Sequence, residues 1–357
     1  MNRNVLITGG AGFIGSNFAK HLLEHGASVR ILDNLTRPGV EHNLAMLQQR
    51  GDSRLEFIKG DVRDADLVRD AVTGRDEIYH FAAQVAVTDS ISAPRNDFEI
   101  NLLGTFNVLE AVRLSGRQPF LLFTSTNKVY GDLAGVPVHE SSRSYSFCDR
   151  TGVNEEQALD FHSPYGCSKG ASDQYVRDYA RIYGIPAVVF RMSCIAGPQQ
   201  FGNEDQGWLA HFAYSLIAGR PITIYGDGRQ VRDVLPVHDL IAAFEVVRVH
   251  SAQTAGHIYN VGGGMGNAAS LLEVLDLLER MTGKRRNIRF DIARQGDQRI
   301  FVTDFTRFSK ATGWSPRYTV EQIAAHIIDW AKQNTPTLTA IAPSLRGLVA
   351  ATFRVAS

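Results

Sequence analysis

Short apolar, β-branched runs alternate with segments of helical period through the first half of the chain. Val5-Leu6-Ile7-Thr8 reads as a strand that stops at a cluster of glycines. From Phe13 the apolar residues Phe13, Ile14, Phe18, Leu22 and Leu23 recur at helical spacing, and Gly26 closes that helix. Further strands are predicted at 28–32 (ending at Asp33), 55–59, 78–81, 120–124 and 187–191. Helices are predicted from about 98 to 114, with Ile100, Leu103, Val108 and Ala111 inward, and from 164 to 183. Strands alternating with helices predict an α/β fold, a doubly wound parallel sheet covered on both faces. Its ligand is expected at the carboxyl ends of the strands.

The pattern then changes. Residues 127–163 are rich in Gly, Ser, Asp and Arg with weak periodicity, a connection long enough to suggest a lid or substrate-facing role. Beyond Gly197-Pro198, helices are predicted at 208–218, 238–250, 269–282 and 319–333, and short strands at 222–225, 258–261 and 288–292. We read residues 1–190 as a dinucleotide-binding domain with returns from about 238–262. Residues 191–333 read mainly as a smaller α+β substrate lobe, and 334–357 as an unassigned tail. Lys+Arg and Asp+Glu number 37 each in 357 residues, so charge points to neither nucleic acid nor membrane as partner. Three cysteines, Cys148, Cys167 and Cys194, lack metal-ligand spacing, and no metal is expected. With no room for a leader before the first strand, a cytoplasmic location is expected.

Chemistry concentrates at the strand ends. Gly10-x-Gly12-x-x-Gly15, between strand and helix, fits a dinucleotide cradle in which backbone N–H groups approach a pyrophosphate at the helix start. Gly9, Gly12 and Gly15 fall at three-residue spacing. Asp33 can accept from an adenosine ribose and repel a 2′-phosphate, or be a turn residue beside Asn34; Arg37 could soften that preference. Asp61 can reach an adenine edge, and Ala82-Ala83-Gln84 lets the backbone pass close to a cofactor. Tyr165 and Lys169, four apart on a helix, share a face on which the ammonium favours a phenolate. Such spacing also arises as a surface pair. Thr126 ends the fifth strand, where its hydroxyl can bond the same substrate oxygen. Cys167 points away from that face and reads as packing.

The runs Thr8-Gly-Gly-Ala-Gly-Phe-Ile-Gly15, Thr124-Ser-Thr-Asn-Lys-Val-Tyr-Gly131 and Tyr165-x-x-x-Lys169 resemble the extended short-chain dehydrogenase/reductase family with a Rossmann sheet, in its nucleotide-sugar branch. The likeness covers roughly residues 3 to 333. Within the branch, His162–Gly170, Asp205–Trp208, Gly228–Val234 and Asp297–Asp304 are similar to the CDP-tyvelose (CDP-paratose) 2-epimerases. This implies tightly bound NAD, a nucleotide-diphospho-sugar substrate with a CDP-sugar favoured, and a homodimer or dimer-based oligomer built on the helices near 98–114 and 164–183. It implies catalysis by Thr126, Tyr165 and Lys169. Cofactor contacts are implied for Gly9, Gly12, Phe13, Ile14, Gly15, Asp33, Asn34, Asp61, Val62, Ala83, Gln84, Asn101, Tyr165, Lys169 and Met192. Substrate contacts are implied for Thr88, Asn127, Gln206, Arg232 and Arg294. The two arginines would clamp the diphosphate, or else form surface salt bridges with Asp233 and Asp297. Cys194 stands where many relatives have Asn.

Dehydratases of this kind carry an Asp-Glu pair directly after the threonine; here the residues are Asn127 and Lys128. Without an acid pair for elimination, the resemblance implies transient oxidation to a keto-sugar and return of the hydride to the other face, at C2 of a CDP-hexose. A UDP-sugar 4-epimerase or other nucleotide-sugar oxidoreductase is the alternative within the class. A cofactor-binding regulatory protein is the alternative outside it.

Overall fold

Seven parallel strands form the main sheet in the order Ile258–Val261, Ala187–Met192, Phe120–Thr126, Glu77–His80, Asn4–Thr8, Ser28–Asp33, Leu55–Lys59. The computed structural model describes residues 3–294 and 296–345. Strand order reverses between Asn4–Thr8 and Glu77–His80, so the two chains of crossovers diverge there and leave a crevice at the carboxyl ends. This is the predicted doubly wound sheet, and Ile258–Val261 returns to it as an edge strand.

Both faces are buried. Helices Phe13–Glu24 and Val237–Val249 pack on one, where Phe18 meets Tyr79 and Phe244 edge-on at 4.5 and 5.3 Å. Helices Ala65–Val72, Gly104–Leu114 and Ser163–Tyr183 cover the other. The predicted single helix at 98–114 is three pieces: Pro94–Phe98, a π-helical turn Glu99–Leu103, and Gly104–Leu114. The turn carries Leu103, expected inward, to the surface at 38% exposure, while Val108 and Ala111 beyond it are buried as expected; apolar periodicity does not register such a turn.

The later part of the chain builds a second core around Trp208–Ile217, Leu271–Thr282 and Val320–Gln333. Its central strand, Val231–Pro236, is buried throughout and pairs with Cys194–Ala196, Ala268–Ser270 and Ile300–Phe301. Arg232 and Asp233 obscured this strand in the sequence. The segment 127–163 is less loose than its composition suggests. It opens with a 3₁₀ turn, Asn127–Tyr130, capped by the Thr126 hydroxyl, and contains a hairpin of Val138–Glu140 with Tyr145–Phe147. Val129, Tyr130 and Val153 then bury it against Phe301, so it is a packed strut between the two sheets. A helix, Thr335–Leu345, occupies the first part of the tail; residues 346–357 lie outside the described residues. Among the described residues no helix is long and apolar enough to cross a membrane.

Beneath the crevice, Arg191 and Asp173 form a buried pair, Nε to Oδ2 at 2.7 Å and Nη2 to Oδ1 at 3.1 Å. Ser125 donates to the same carboxylate, and Arg191 also donates to the Tyr130 hydroxyl. Arg191→Met would leave Asp173 buried without its cation. We expect a loss of about 3–5 kcal/mol of unfolding free energy, measured by urea denaturation.

Candidate active site

The glycine loop is organised by close approach. A β-carbon on Gly9 would lie 2.7 Å from Ala82 N, and its φ is +69°. One on Gly15 would collide with the backbone of Gly9 and Gly10. Those two glycines serve the protein's own packing. Gly12 is different: its β-carbon would meet only the Gly9 carbonyl, at 3.1 Å, within 4 Å. Its bare backbone therefore opens onto free space at the start of helix Phe13–Glu24, where no side chain caps the N–H groups. That is what a dinucleotide diphosphate requires.

Around the loop the predicted cofactor residues converge. Asp33 accepts from Ala11 N and Leu35 N at 3.0 and 2.9 Å; burial pushes its carboxyl up while these N–H groups work against the shift. Asp61 accepts from Asn34 and from Arg63, which holds its carboxyl down at about 2. Gln84 N donates to Asn101 Oδ1 at 2.9 Å, and the Gln84 Oε1 atom is buried without a partner. Met192 lies beside Thr126 in strand register. Val62 is 5% exposed and packs against Gly104, so its side chain serves the core; its carbonyl accepts from Asn107. Arg37 reaches across the crevice instead of toward a ribose. It donates to Gln206 Oε1 at 3.1 Å and senses Asp89, Tyr165 and Asp33.

Thr126 and Tyr165 are hydrogen-bonded, Lys169 lies one turn beyond Tyr165 on the same helix, and all three are buried. Burial pushes the Tyr165 phenol up to about 12, opposed by the Thr126 hydroxyl and by Arg37. Burial pulls Lys169 down to about 7, opposed by Asp97 and Asp173. The Lys169 ammonium lies 4.2 Å over the Phe123 ring. A phenol and an ammonium sharing a dry pocket can pass a proton to and from a substrate oxygen. Cys167 does point away from this face, but it is exposed and not packed as expected.

On the opposite wall, alternation along Val231–Pro236 sends neighbouring charges to opposite sides. Asp233 turns inward to Ser193 and Gly264 N. Arg232 faces the crevice and binds Asp297 at 2.7 Å. Lys128 joins the same carboxylate at 3.1 Å. Arg294 pairs with Asp205 at 3.0 Å and lies 4.0 Å over the Tyr225 ring, so its partner is not the adjacent Asp297. Asn127 bonds Gln298 at 3.3 Å, and Trp208 donates to Cys194 Sγ at 3.4 Å. The Thr88 hydroxyl is buried without a partner. Ser168, Asp205 and Gln298 fall in runs that carry the family resemblance, which implies no role for them, and Asp97 lies in no run named from the sequence; single polar residues carry no spacing signal.

Comparison with known proteins places the chain among nucleotide-sugar epimerases and dehydratases. A family model described as GDP-mannose 4,6 dehydratase matches residues 6–327. CDP-paratose 2-epimerase of Salmonella typhi is 42% identical over 334 residues, covering 91% of this chain and 98% of that protein. The dTDP-glucose 4,6-dehydratase of Streptomyces venezuelae, solved with NAD bound, superposes with a TM-score of 0.82 at 30% identity, covering 95% and 99% of the two chains. The UDP-glucose 4-epimerase of Thermus thermophilus, in complex with NAD, gives 0.76 at 31%, covering 92% and 99%.

The glycine geometry yields a direct test. Gly12→Val should fold with a melting temperature close to that of cofactor-free wild type, yet purify without dinucleotide. Absorbance and mass analysis of the denatured supernatant check the second point.

Proposed function

Because this chain belongs to the GDP-mannose 4,6 dehydratase family, we propose that it is an NAD-dependent epimerase inverting C2 of a CDP-hexose. The observation that carries this reading is the pair following Thr126. A dehydratase-like elimination needs an acid pair there; this chain has Asn127, bonded to Gln298, and Lys128, bonded to Asp297. The 42% identity with a CDP-paratose 2-epimerase supports C2 and the cytidine base.

The unfilled space at Gly12, the uncapped helix start and Asp33 fit NAD. When bound, it supplies the acceptor and later the donor of the hydride. The chain's own residues do the rest. Thr126 and Tyr165 orient the sugar hydroxyl, and the Tyr165 oxygen takes its proton while the Lys169 ammonium stabilises the phenolate. Arg232 and Arg294 grip the diphosphate with fork-shaped donors, so that the sugar can turn over while its anchor stays in place. Tyr165 then returns the proton. Inversion without net redox needs the same cofactor twice, which favours tight retention of NAD through turnover.

Purified protein, with no NAD added, should interconvert CDP-paratose and CDP-tyvelose and leave UDP-sugars unchanged. Inversion at C4 alone, or only with added NAD, would refute the reading. Tyr165→Phe should lower kcat by about 10²–10⁴-fold with sugar binding retained; a purely regulatory protein would show no turnover to lose.

We also propose a homodimer. Phe106, Tyr175, Ile182 and Tyr183 leave an apolar face on helices Gly104–Leu114 and Ser163–Tyr183, each at least 38% exposed. Light scattering should give twice the chain mass, and Phe106→Glu with Tyr175→Glu should give the monomer.

A further inference from the structure

Asp97 is 1% exposed and lies on Pro94–Phe98, immediately before the π-helical turn. Its carboxylate accepts from Ser168 Oγ at 2.6 Å and from Asn101 Nδ2 at 3.0 Å. Ser168 is in the same helical turn as Tyr165 and Lys169, and Asn101 also brackets Gln84 through both its amide atoms. Burial pushes the Asp97 carboxyl up, while the Ser168 hydroxyl and the Lys169 charge work against the shift and favour the ionised form; no Lys or Arg within salt-bridge distance of it is found among the described residues.

The groups facing Lys169 narrow the source of its counter-charge. Tyr165 and Asp173 lie on its own helix, and Asp173 is already paired with Arg191. From the sheet come the Phe123 ring and His80, which burial holds neutral, at about 3, between Thr8 and Thr105. From the neighbouring helix comes Asp97 alone. We propose that Asp97 is a positioning residue for the proton-transfer step: it anchors the Tyr165–Lys169 turn through Ser168 and supplies the counter-charge for the Lys169 ammonium. The π-helical turn that follows, a device common at functional sites, lets Asn101 share that carboxylate.

This inference rests on the epimerase reading. The Tyr165–Lys169 pair must lose one proton before Tyr165 can act as base. The Asp97 charge favours the protonated form of both: it adds to the burial that raises Tyr165 and opposes the burial that lowers Lys169. Removing it eases that loss, so the pH–kcat profile should move as a whole toward lower pH. We expect Asp97→Asn to move the acid limb down by about 1 pH unit, Asp97→Glu to restore it, and Ser168→Ala to lower kcat without moving it. Asp97→Ser, run in parallel, tests the same charge loss with a different packing demand. Reduced kcat with an unmoved limb in the charge-removing variants would overturn the proposal and leave Asp97 purely structural. An inactive wild type would instead overturn the epimerase reading.

Discussion

A buried ammonium has to be neutralised, and the arrangement around Lys169 follows from that constraint. An unpaired cation in a dry pocket is costly enough that the group sheds its proton instead. Lys169 escapes that fate only in part. Burial brings it close to neutral pH, while Asp97, Asp173 and the face of Phe123 hold the charge in place. Asp173 in turn is balanced by Arg191, which also donates to the neutral Tyr130 hydroxyl, so the polar network extends beneath the sheet edge into the strut at 127–163. The proton-transfer group and the junction between the two cores share one buried polar network.

The substrate wall works by a different principle. Its cations sit in carboxylate pairs, Arg232 and Lys128 on Asp297, Arg294 on Asp205. Arg232 and Lys128 together hold the Asp297 carboxyl far below its ordinary range. Such pairs hold the guanidinium forks extended, which would lower the ordering cost of binding the diphosphate in the function proposed above. Lys128 adds charge to this wall at the position where an elimination enzyme would place an acid.

Most of the fold was legible because it rests on local signals. The strands at 55–59, 222–225 and 258–261 were placed to the residue, since short apolar runs between turn residues mark strands even at a partly exposed edge such as 55–59. The π-helical turn at Glu99–Leu103 and the strand Val231–Pro236 were not. The first does not register in apolar periodicity, and the second carries two charges that each find a buried partner. Arg37 illustrates the same limit at the site. Its place after the second strand suggests a ribose, but its side chain crosses the crevice to Gln206.

By itself, then, the sequence determined the sheet, the glycine cradle, the Thr126–Tyr165–Lys169 group and the missing acid pair. Each is written in spacing or in adjacency along the chain, which survives without coordinates. Only the tertiary structure decided which carboxylate meets which cation, and that the Gly12 backbone faces open space while Gly9 and Gly15 face protein. It also brought Asp97, distant in sequence, against the Tyr165–Lys169 turn. Electrostatics and close packing act through space, and their strength depends on burial and distance, quantities that a linear pattern does not carry.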